Sequence, residues 1–567
     1  MEVPTWLRPA TTTDLYRDNA FRISGLPVTA TSREVRRRAT QVRAAESLGA
    51  GRAGPPAAPE ARWLPLKPAP DHDAVREALR RLEDPVRRVV DEFFWFWPLA
   101  ETDGIGLDRA KQTWKRLAEQ DPEAGAEDSA ARSIALHNLA VAGHAKAVEA
   151  ESHQSITVRH ALWRQAYRQW RMVLDDEGCW RWLDERIRAL DDPRLRAVSS
   201  GAFREALPAA LVEAHAGVAV QDARRWGGEK AASGHVSLMR DFAADEELLD
   251  AVLRRATAPT VAALRHRAET AADPRDEPAV LERAAASLLT GSEPDLRVLR
   301  AVLGKAHPVW CGAADALATA VSGCAVACAN GLVLDGQDAS GMLAKAAAHL
   351  RAARRLAAGR HVRAMIADNL VTLLGNDLLL ACDKALKRVN AAPESGHAEA
   401  VRLLKTTEDR LREVRVLRPD GAETEQLHDS VALTACRLLN DYFDATQNME
   451  QTLQGYRKAL AVVASSEGQA VIMENITTLS RALELLGDRA RPAQQIPALT
   501  PPPWSATPPQ RPAPRQPDEP RQGWGSLVGW WVGTIALGIL AAVYWKNEMY
   551  VLAVIFGIGA FLAAIWP

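Results

Sequence analysis

Hydrophobic residues between positions 105 and 488 recur every three or four residues, which is the spacing of an amphipathic α-helix. Ile134, Val141, Ala145 and Val148 form one such stripe, and similar stripes follow it along the chain. β-branched and aromatic residues are too sparse for much sheet. The pattern therefore predicts an all-α body of successive helices joined by short turns.

Two stretches of this body, 133–151 and 342–359, are dense in small residues, chiefly Ala. Small residues let neighbouring helices pack closely, as stacked helical hairpins require. The stretches resemble tetratricopeptide-type helices, but the strict period of about 34 residues is absent. We therefore predict an irregular, tetratricopeptide-like α-solenoid. A break near 255–295, rich in Pro, Asp and Glu, divides it into repeat regions 99–270 and 271–490.

The C-terminal residues 524–567 carry the clearest membrane signal. Residues 524–545 and 549–566 contain no charge, and only Lys546, Asn547 and Glu548 interrupt them. A bilayer core of roughly 30 Å needs about 20 helical residues. Trp and Tyr cluster towards the segment ends, where amphipathic rings favour the membrane interface. The pattern predicts a transmembrane helical hairpin, with the lipid bilayer as a partner.

Glycines recur every fourth residue in the first predicted span, at Gly525, Gly529 and Gly533. Such a small-residue face lets another transmembrane helix approach closely. We expect these glycines to serve membrane-helix packing, either within the hairpin or between two copies as a homo-oligomer.

The linker and the charges beside the spans predict the topology. Residues 491–523 are rich in Pro, Gln and Arg, the composition of a semi-extended spacer. Arg511, Arg515 and Arg521 lie on its membrane-proximal side, against a single Lys546 in the hairpin loop. The positive-inside rule then places both termini in the cytoplasm. The expected location is the cell membrane, with two spans and the N-terminal bulk in the cytoplasm.

Residues 310–334 are also nearly uncharged and resemble a third span. They are rich in Ala and Gly, and Asp315 would cost roughly 2.5–3.5 kcal/mol at a span centre. We therefore expect a buried hairpin of the soluble body.

The N-terminal module, residues 1–98, contains a strongly basic helix. Thr31 and Glu34 form a capping box that opens it. A Gly/Pro/Ala-rich loop (49–60) separates it from a second helix predicted from about residue 71 to 97. The exposed side of the first helix carries five arginines: Arg33, Arg36, Arg37, Arg38 and Arg43.

The module resembles the J-domain of DnaJ-type co-chaperones at both of its ends. The start matches the family's Y-x-x-L-G-V, A-S and E-I-K-K elements at Phe21, Gly25, Leu26, Ala30, Thr31, Glu34, Val35, Arg36 and Arg37. The end matches A-Y-x-x-L-x-D-P-x-x-R at Ala78, Leu82, Asp84, Pro85 and Arg88, with Glu92 at the closing acidic position. The resemblance covers roughly 80 residues and implies an Hsp70-type chaperone as partner.

The module lacks the His-Pro-Asp tripeptide by which J-domains trigger ATP hydrolysis in Hsp70. Ser47, Leu48 and Gly49 stand at its place, and the later Pro70-Asp71 pair abuts the next helix. The basic helix could still dock on an acidic surface of Hsp70 or of another protein partner. Arg36, Arg37 and Arg43 are the candidate partner-binding residues. The alternative is that these arginines only form a solvated helix face.

Five aromatic residues, 93–97, close the module. We expect them to pack between the module and the first repeat helices. A peptide-binding or membrane-contacting patch is the alternative.

Bulk charge and cysteine usage narrow the function classes. The chain has 70 basic and 71 acidic residues among 567, so nothing in the global charge favours nucleic acid as a partner. Its six cysteines are scattered, which fits a reducing compartment and no disulfide framework.

The sequence contains fragments of nucleotide-binding and metal-binding motifs, but none of them is complete. Gly49, Gly51 and Gly54 spell G-x-G-x-x-G, but a helix precedes them and prolines follow, unlike a nucleotide-binding loop. Cys324 and Cys328 share a helical face and are interpreted as core residues.

Two histidine pairs, His137 with His144 and His153 with His160, are interpreted as polar residues on the repeat surface. We therefore predict no catalytic residue, no cofactor and no metal ligand.

The sequence thus favours a membrane-anchored, co-chaperone-like adaptor or scaffold that is not an enzyme. It would bind proteins through the J-like module and the helical repeats. A structural assembly or division-type scaffold at the cytoplasmic membrane is the second hypothesis. An enzyme whose site is assembled within the helical array is the third.

Overall fold

The computed structural model describes residues 3–47, 62–120, 126–225, 227–243, 245–335, 340–419 and 421–489, and across these ranges it is all-α with no strand. The chain divides into two compact units, Met1–Ala490 and Arg491–Pro567. The described residues all lie in the first unit. The predicted Pro-rich linker and membrane hairpin, with Gly525, Gly529 and Gly533, lie outside the described residues.

The N-terminal helices form where the capping signals predicted. At the start of α2 the Thr31 backbone N–H donates to Glu34 Oε2 (2.7 Å), and the Glu34 N–H donates to Thr31 Oγ1 (3.3 Å). The predicted capping box is therefore confirmed. The helices of this region are α1 (Ala20–Ser24), α2 (Ser32–Ser47), α3 (His72–Arg81), α4 (Pro85–Phe93) and α5 (Leu107–Ala118).

The prediction of one continuous helix over 71–97 is wrong. It is broken into α3 and α4 at residues 82–84. Asp84 caps α4 by accepting a hydrogen bond from the Val86 N–H, and Pro85 occupies the first helical position. Proline has no N–H to continue a preceding helix, and its fixed φ suits the first turn of a new one.

Helix α9 (Ser200–Arg224) is buried along nearly its whole length, and the helix before it and the three helices after it pack on it. This first core extends from the N-terminus to α12 and includes the N-terminal module. The helices that follow α5 are α6 (Ala126–Ala150), α7 (Ile156–Asp175), α8 (Glu177–Leu190), α9 (Ser200–Arg224), α10 (Glu229–Ala243) and α11 (Glu246–Glu269).

From α11 onwards each helix packs on the next, which is the arrangement of a helical array. A second core begins at α11 and extends to α19. The predicted break at 255–295 is narrower in the structure, since only residues 270–277 separate α11 from α12. The remaining helices are α12 (Pro278–Leu303), α13 (Pro308–Asp335), α14 (Ser340–Leu356), α15 (Arg360–Ala391), α16 (Gly396–Leu417), α17 (Ala422–Thr446), α18 (Met449–Leu460) and α19 (Ser466–Arg489).

Two helices of the described chain, Pro308–Leu332 and Arg360–Ala391, are long and apolar enough to cross a membrane. About half of each is buried within the fold, at 44% and 50%, and core helices of soluble proteins meet the same criterion. The prediction of a hairpin at 310–334 is wrong, because α13 is one continuous helix across these residues. Asp315, about two turns from the start of α13, accepts hydrogen bonds from the backbone N–H groups of Ala358 (2.7 Å) and Gly359 (2.9 Å) between α14 and α15.

The aromatic segment 93–97 is buried and joins the module to the helical body, as predicted. Trp97 stacks on Trp182 of α8 with ring centroids 3.7 Å apart. Phe93 lies parallel to Trp170 of α7 (5.9 Å). These contacts make the N-terminal module part of the first core.

Candidate functional site

The outer face of α2 carries the arginines that the sequence singled out. Val35 and Val42, seven residues apart, are buried and fix the inner face of this helix. Arg36, Arg37 and Arg43 are exposed. Arg36 and Arg43 are also seven residues apart and share one flank of the helix, and Arg37 lies about 100° further round the helix from the valines. The structure therefore brings the three residues onto one solvent-facing surface, which we call the α2 basic face.

No carboxylate lies within ion-pair distance of Arg36, Arg37 or Arg43 among the residues that the structure describes. The Nε of Arg36 donates to the carbonyl of Ser32 (3.3 Å), and the Nε of Arg43 donates to that of Ala39 (3.4 Å), so both side chains lie along the helix. Among the acidic groups of α2, Glu34 feels the charge of Arg37. Its pKa is lowered first by the hydrogen bonds from Thr31 and only last by the charge of Arg37.

The neighbouring helix α3 differs, because two of its three arginines are paired with carboxylates. Arg76 pairs with Glu46 and Asp73, and Arg80 pairs with Glu77 (2.7 Å). The α2 basic face is therefore a local excess of positive charge, although the chain as a whole is almost neutral.

The position of the missing tripeptide falls at the end of α2. Ser47 is the last residue of that helix. Leu48 and Gly49 lie outside the described residues, and so does the rest of the G-x-G-x-x-G segment.

The fold also contains buried histidines that the sequence placed on the surface. His137 and His144 are 0% and 1% exposed, so their interpretation as surface residues is wrong. His137 Nε2 lies 2.7 Å from the Phe93 carbonyl oxygen, and Tyr16 Oη lies 2.9 Å from His144 Nδ1. Burial lowers the pKa of each imidazole to about 3, because the charged form would lose its hydration. Both rings are therefore neutral at physiological pH.

A second buried chain of polar groups joins α7, α9 and α10. Tyr167 Oη lies 2.7 Å from His215 Nδ1, and His215 Nε2 lies 2.7 Å from His235 Nδ1. Burial is the main cause that lowers the pKa of His215 well below its ordinary value. A neutral His215 has one ring proton, so each of its nitrogens plays a different role in the chain.

Two carboxylates meet the far side of His235. His235 Nε2 lies 3.3 Å from Asp222 Oδ2 and 3.9 Å from Glu151 Oε2. Arg159 Nη1 lies 2.8 Å from the same Asp222 oxygen and also contacts Glu151 Oε2. We call Glu151, Asp222, His235 and Arg159 the buried polar cluster. It lies where α6 and α9 end and α7 begins.

Cys324 and Cys328 are buried in α13, and all six cysteines are free thiols. Their interpretation as core residues is confirmed.

The chain matches no protein-family model, no curated protein and no solved structure. The candidate sites therefore rest on their own geometry.

The sequence identified the α2 basic face but not the buried polar cluster. Glu151, Asp222 and His235 are separated by many residues and share no motif spacing. A usable signal was present in Asp222 and His235, which stand among the apolar positions of α9 and α10.

Proposed function

We propose that this protein is a membrane-associated helical adaptor that binds an acidic surface of a protein partner through the α2 basic face. The observation that carries the proposal is the contrast between α2, whose Arg36, Arg37 and Arg43 have no ion-pair partner in the described chain, and α3, whose Arg76 and Arg80 are paired. Unpaired like charges on one helix face repel each other, and an acidic partner would relieve that repulsion.

The helix order of the module supports the J-like part of the proposal. A short α1 precedes the basic α2, and α3 and α4 follow the loop. Helix α3 packs on both α1 and α2. A J-domain has the same succession of helices, so an Hsp70-type chaperone is the first partner to test. Without His-Pro-Asp, we expect docking without the usual stimulation of ATP hydrolysis.

The predicted hairpin at 524–567 supplies the membrane attachment in this proposal. A tether raises the effective concentration of two proteins on the same membrane without any new contact. The predicted linker of about 30 residues would reach up to roughly 100 Å when extended. The protein would then act by bringing partners together, with no chemical step of its own.

The test is affinity capture of the full-length protein from gently solubilised native membranes. The test variant carries Arg36→Glu, Arg37→Glu and Arg43→Glu. A matched control reverses three exposed arginines on α7 and α8, namely Arg164→Glu, Arg168→Glu and Arg181→Glu. We expect an Hsp70-type chaperone with the wild type and the control but not with the test variant.

Two other outcomes would change the proposal. Capture of a division or envelope protein in place of a chaperone, lost in the same variant, would favour the structural-assembly hypothesis. Capture of the same partners by all three proteins would show that the α2 basic face does not bind them.

A further inference from the structure

The buried polar cluster has the organisation of a metal site. Glu151, Asp222 and His235 each offer one ligand atom, and these atoms all lie within 4.8 Å of one another. A tetrahedral zinc ion with bonds of about 2.0–2.1 Å separates its ligands by about 3.4 Å. The 3.3 Å between His235 Nε2 and Asp222 Oδ2 matches this spacing. The 3.9 Å from His235 Nε2 to Glu151 Oε2 exceeds it by about 0.5 Å, so Glu151 must move towards the ion.

Each carboxylate is held by one oxygen and presents the other to the same point. Trp163 Nε1 donates to Glu151 Oε1 (2.8 Å), and Arg225 pairs with Asp222 Oδ1 (2.9 Å). The opposite oxygens, Oε2 and Oδ2, face His235 Nε2. Fixed outer partners of this kind orient the ligands of protein metal sites.

The ring of His235 is oriented in the same way. His215 Nε2 lies 2.7 Å from His235 Nδ1, and Tyr167 in turn holds His215. His235 is 0% exposed, and within the described chain its Nε2 has no well-aligned hydrogen bond, only the 3.3 Å approach to Asp222 Oδ2. A buried nitrogen that faces two carboxylate oxygens requires a proton or a metal cation between them.

We propose that Glu151, Asp222 and His235 bind one divalent transition-metal ion of the zinc class. One imidazole nitrogen and two carboxylate oxygens suit such an ion better than Mg²⁺ or Ca²⁺, which prefer oxygen ligands alone. Asp222 is 2% exposed, whereas the Glu151 side chain is 13% exposed, so the ion would enter from the Glu151 side.

Arg159 is the resident counter-cation of this site. Its guanidinium contacts the same two oxygens that would ligate the metal, so the two cations compete. Metal binding therefore requires the Arg159 side chain to rotate away from the carboxylates. This competition predicts that removing the positive charge at position 159 strengthens metal binding.

The experiment measures zinc in the full-length protein in mild detergent, after dialysis against buffered Zn²⁺. We expect about one zinc ion per chain in the wild type and in the control His153→Gln, whose imidazole is exposed. Asp222→Asn and His235→Gln should lose the bound ion. Arg159→Gln should bind it about 10-fold more tightly or better, because the competing charge is gone. Co²⁺ in place of Zn²⁺ should give visible d–d absorption that follows the same order.

Trp163→Phe provides a milder variant if the ligand substitutions prevent folding, which circular dichroism would reveal. It removes the hydrogen bond to Glu151 Oε1, although it also shortens the buried ring that stacks on His215, and it should weaken zinc binding about 10-fold. The proposal is overturned if the wild type and Arg159→Gln both hold far less than one zinc. It is also overturned if Trp163→Phe and the folded ligand variants bind zinc as the wild type does.

Discussion

The buried histidines His137 and His144 make the first core sensitive to acid. Each has a folded-state pKa of about 3, against about 6.5 in the unfolded chain. Because the folded pKa is depressed, their contribution to stability is complete above pH of about 6.5 and is lost as the pH falls from there towards 3. From pH 7.5 to 5.5, each histidine should lower the free energy of unfolding by about 1.4 kcal/mol.

Asp91 opposes this loss. It is 6% exposed, and burial raises the pKa of its carboxyl to about 6. Its folded form therefore gains protons before the unfolded form does. Acidification from pH 7.5 to 5.5 should raise stability by about 0.8 kcal/mol through this group. With about 2.8 kcal/mol lost at the two histidines, the net loss from the three groups is about 2 kcal/mol.

The assay is urea unfolding of the full-length protein at the two pH values, followed by tryptophan fluorescence. Most of the buried tryptophans belong to the first core, so the signal reports the region that contains both histidines. The informative variant is Tyr16→Phe with His144→Leu, which removes both partners of one hydrogen bond and leaves neither unpaired. It should reduce the pH-dependent loss by about 1.4 kcal/mol.

His153→Leu serves as the control, because this histidine is exposed. It should leave the pH dependence of the wild type unchanged. An equal loss of stability on acidification in the wild type and in the Tyr16/His144 double variant would refute the assignment of His144 as a buried neutral group.

Three further predictions concern the same core and are checked by urea unfolding. Asp91→Asn should raise the free energy of unfolding by up to about 3 kcal/mol at pH 7.5, because the Asp91 carboxyl is charged there at a desolvation cost. The gain should shrink towards pH 4, and a gain independent of pH would contradict this reasoning. Thr31→Ala should cost about 1 kcal/mol by removing the capping hydrogen bond, whereas Thr40→Ala, within α2, should cost less. Trp97→Ala should cost about 3–5 kcal/mol through the cavity left beside Trp182, and a loss under 1 kcal/mol would show that the segment 93–97 is not part of the core.

The local elements of the N-terminal module could be predicted in part. The Thr31–Glu34 capping box and the basic face of α2 depend on residues within one or two turns, so the sequence contains the complete signal. The division between α3 and α4 was missed, although Asp84-Pro85 is a local helix-start signal. The hydrophobic pattern continues through that signal and by itself favours one long helix.

The histidines show what the sequence could not decide. His137 and His144 lie on one helix face by their spacing, but spacing does not show whether that face meets solvent or another helix. Tyr16 and the Phe93 carbonyl, which satisfy these two imidazoles, come from parts of the chain far from α6. A buried polar side chain is stable only with such a partner, and the partner becomes known only when the helices are packed.

By itself, the sequence determined the all-α class and the helical periodicity, because both follow from side-chain spacing along one segment. The continuity of α13 and the cluster of Glu151, Asp222 and His235 were decided only by the tertiary structure. These features depend on which helix ends meet in space. The packing of apolar faces determines which helix ends lie together. The sequence spacing of the polar residues at those ends does not depend on that packing, so it does not reveal the contact.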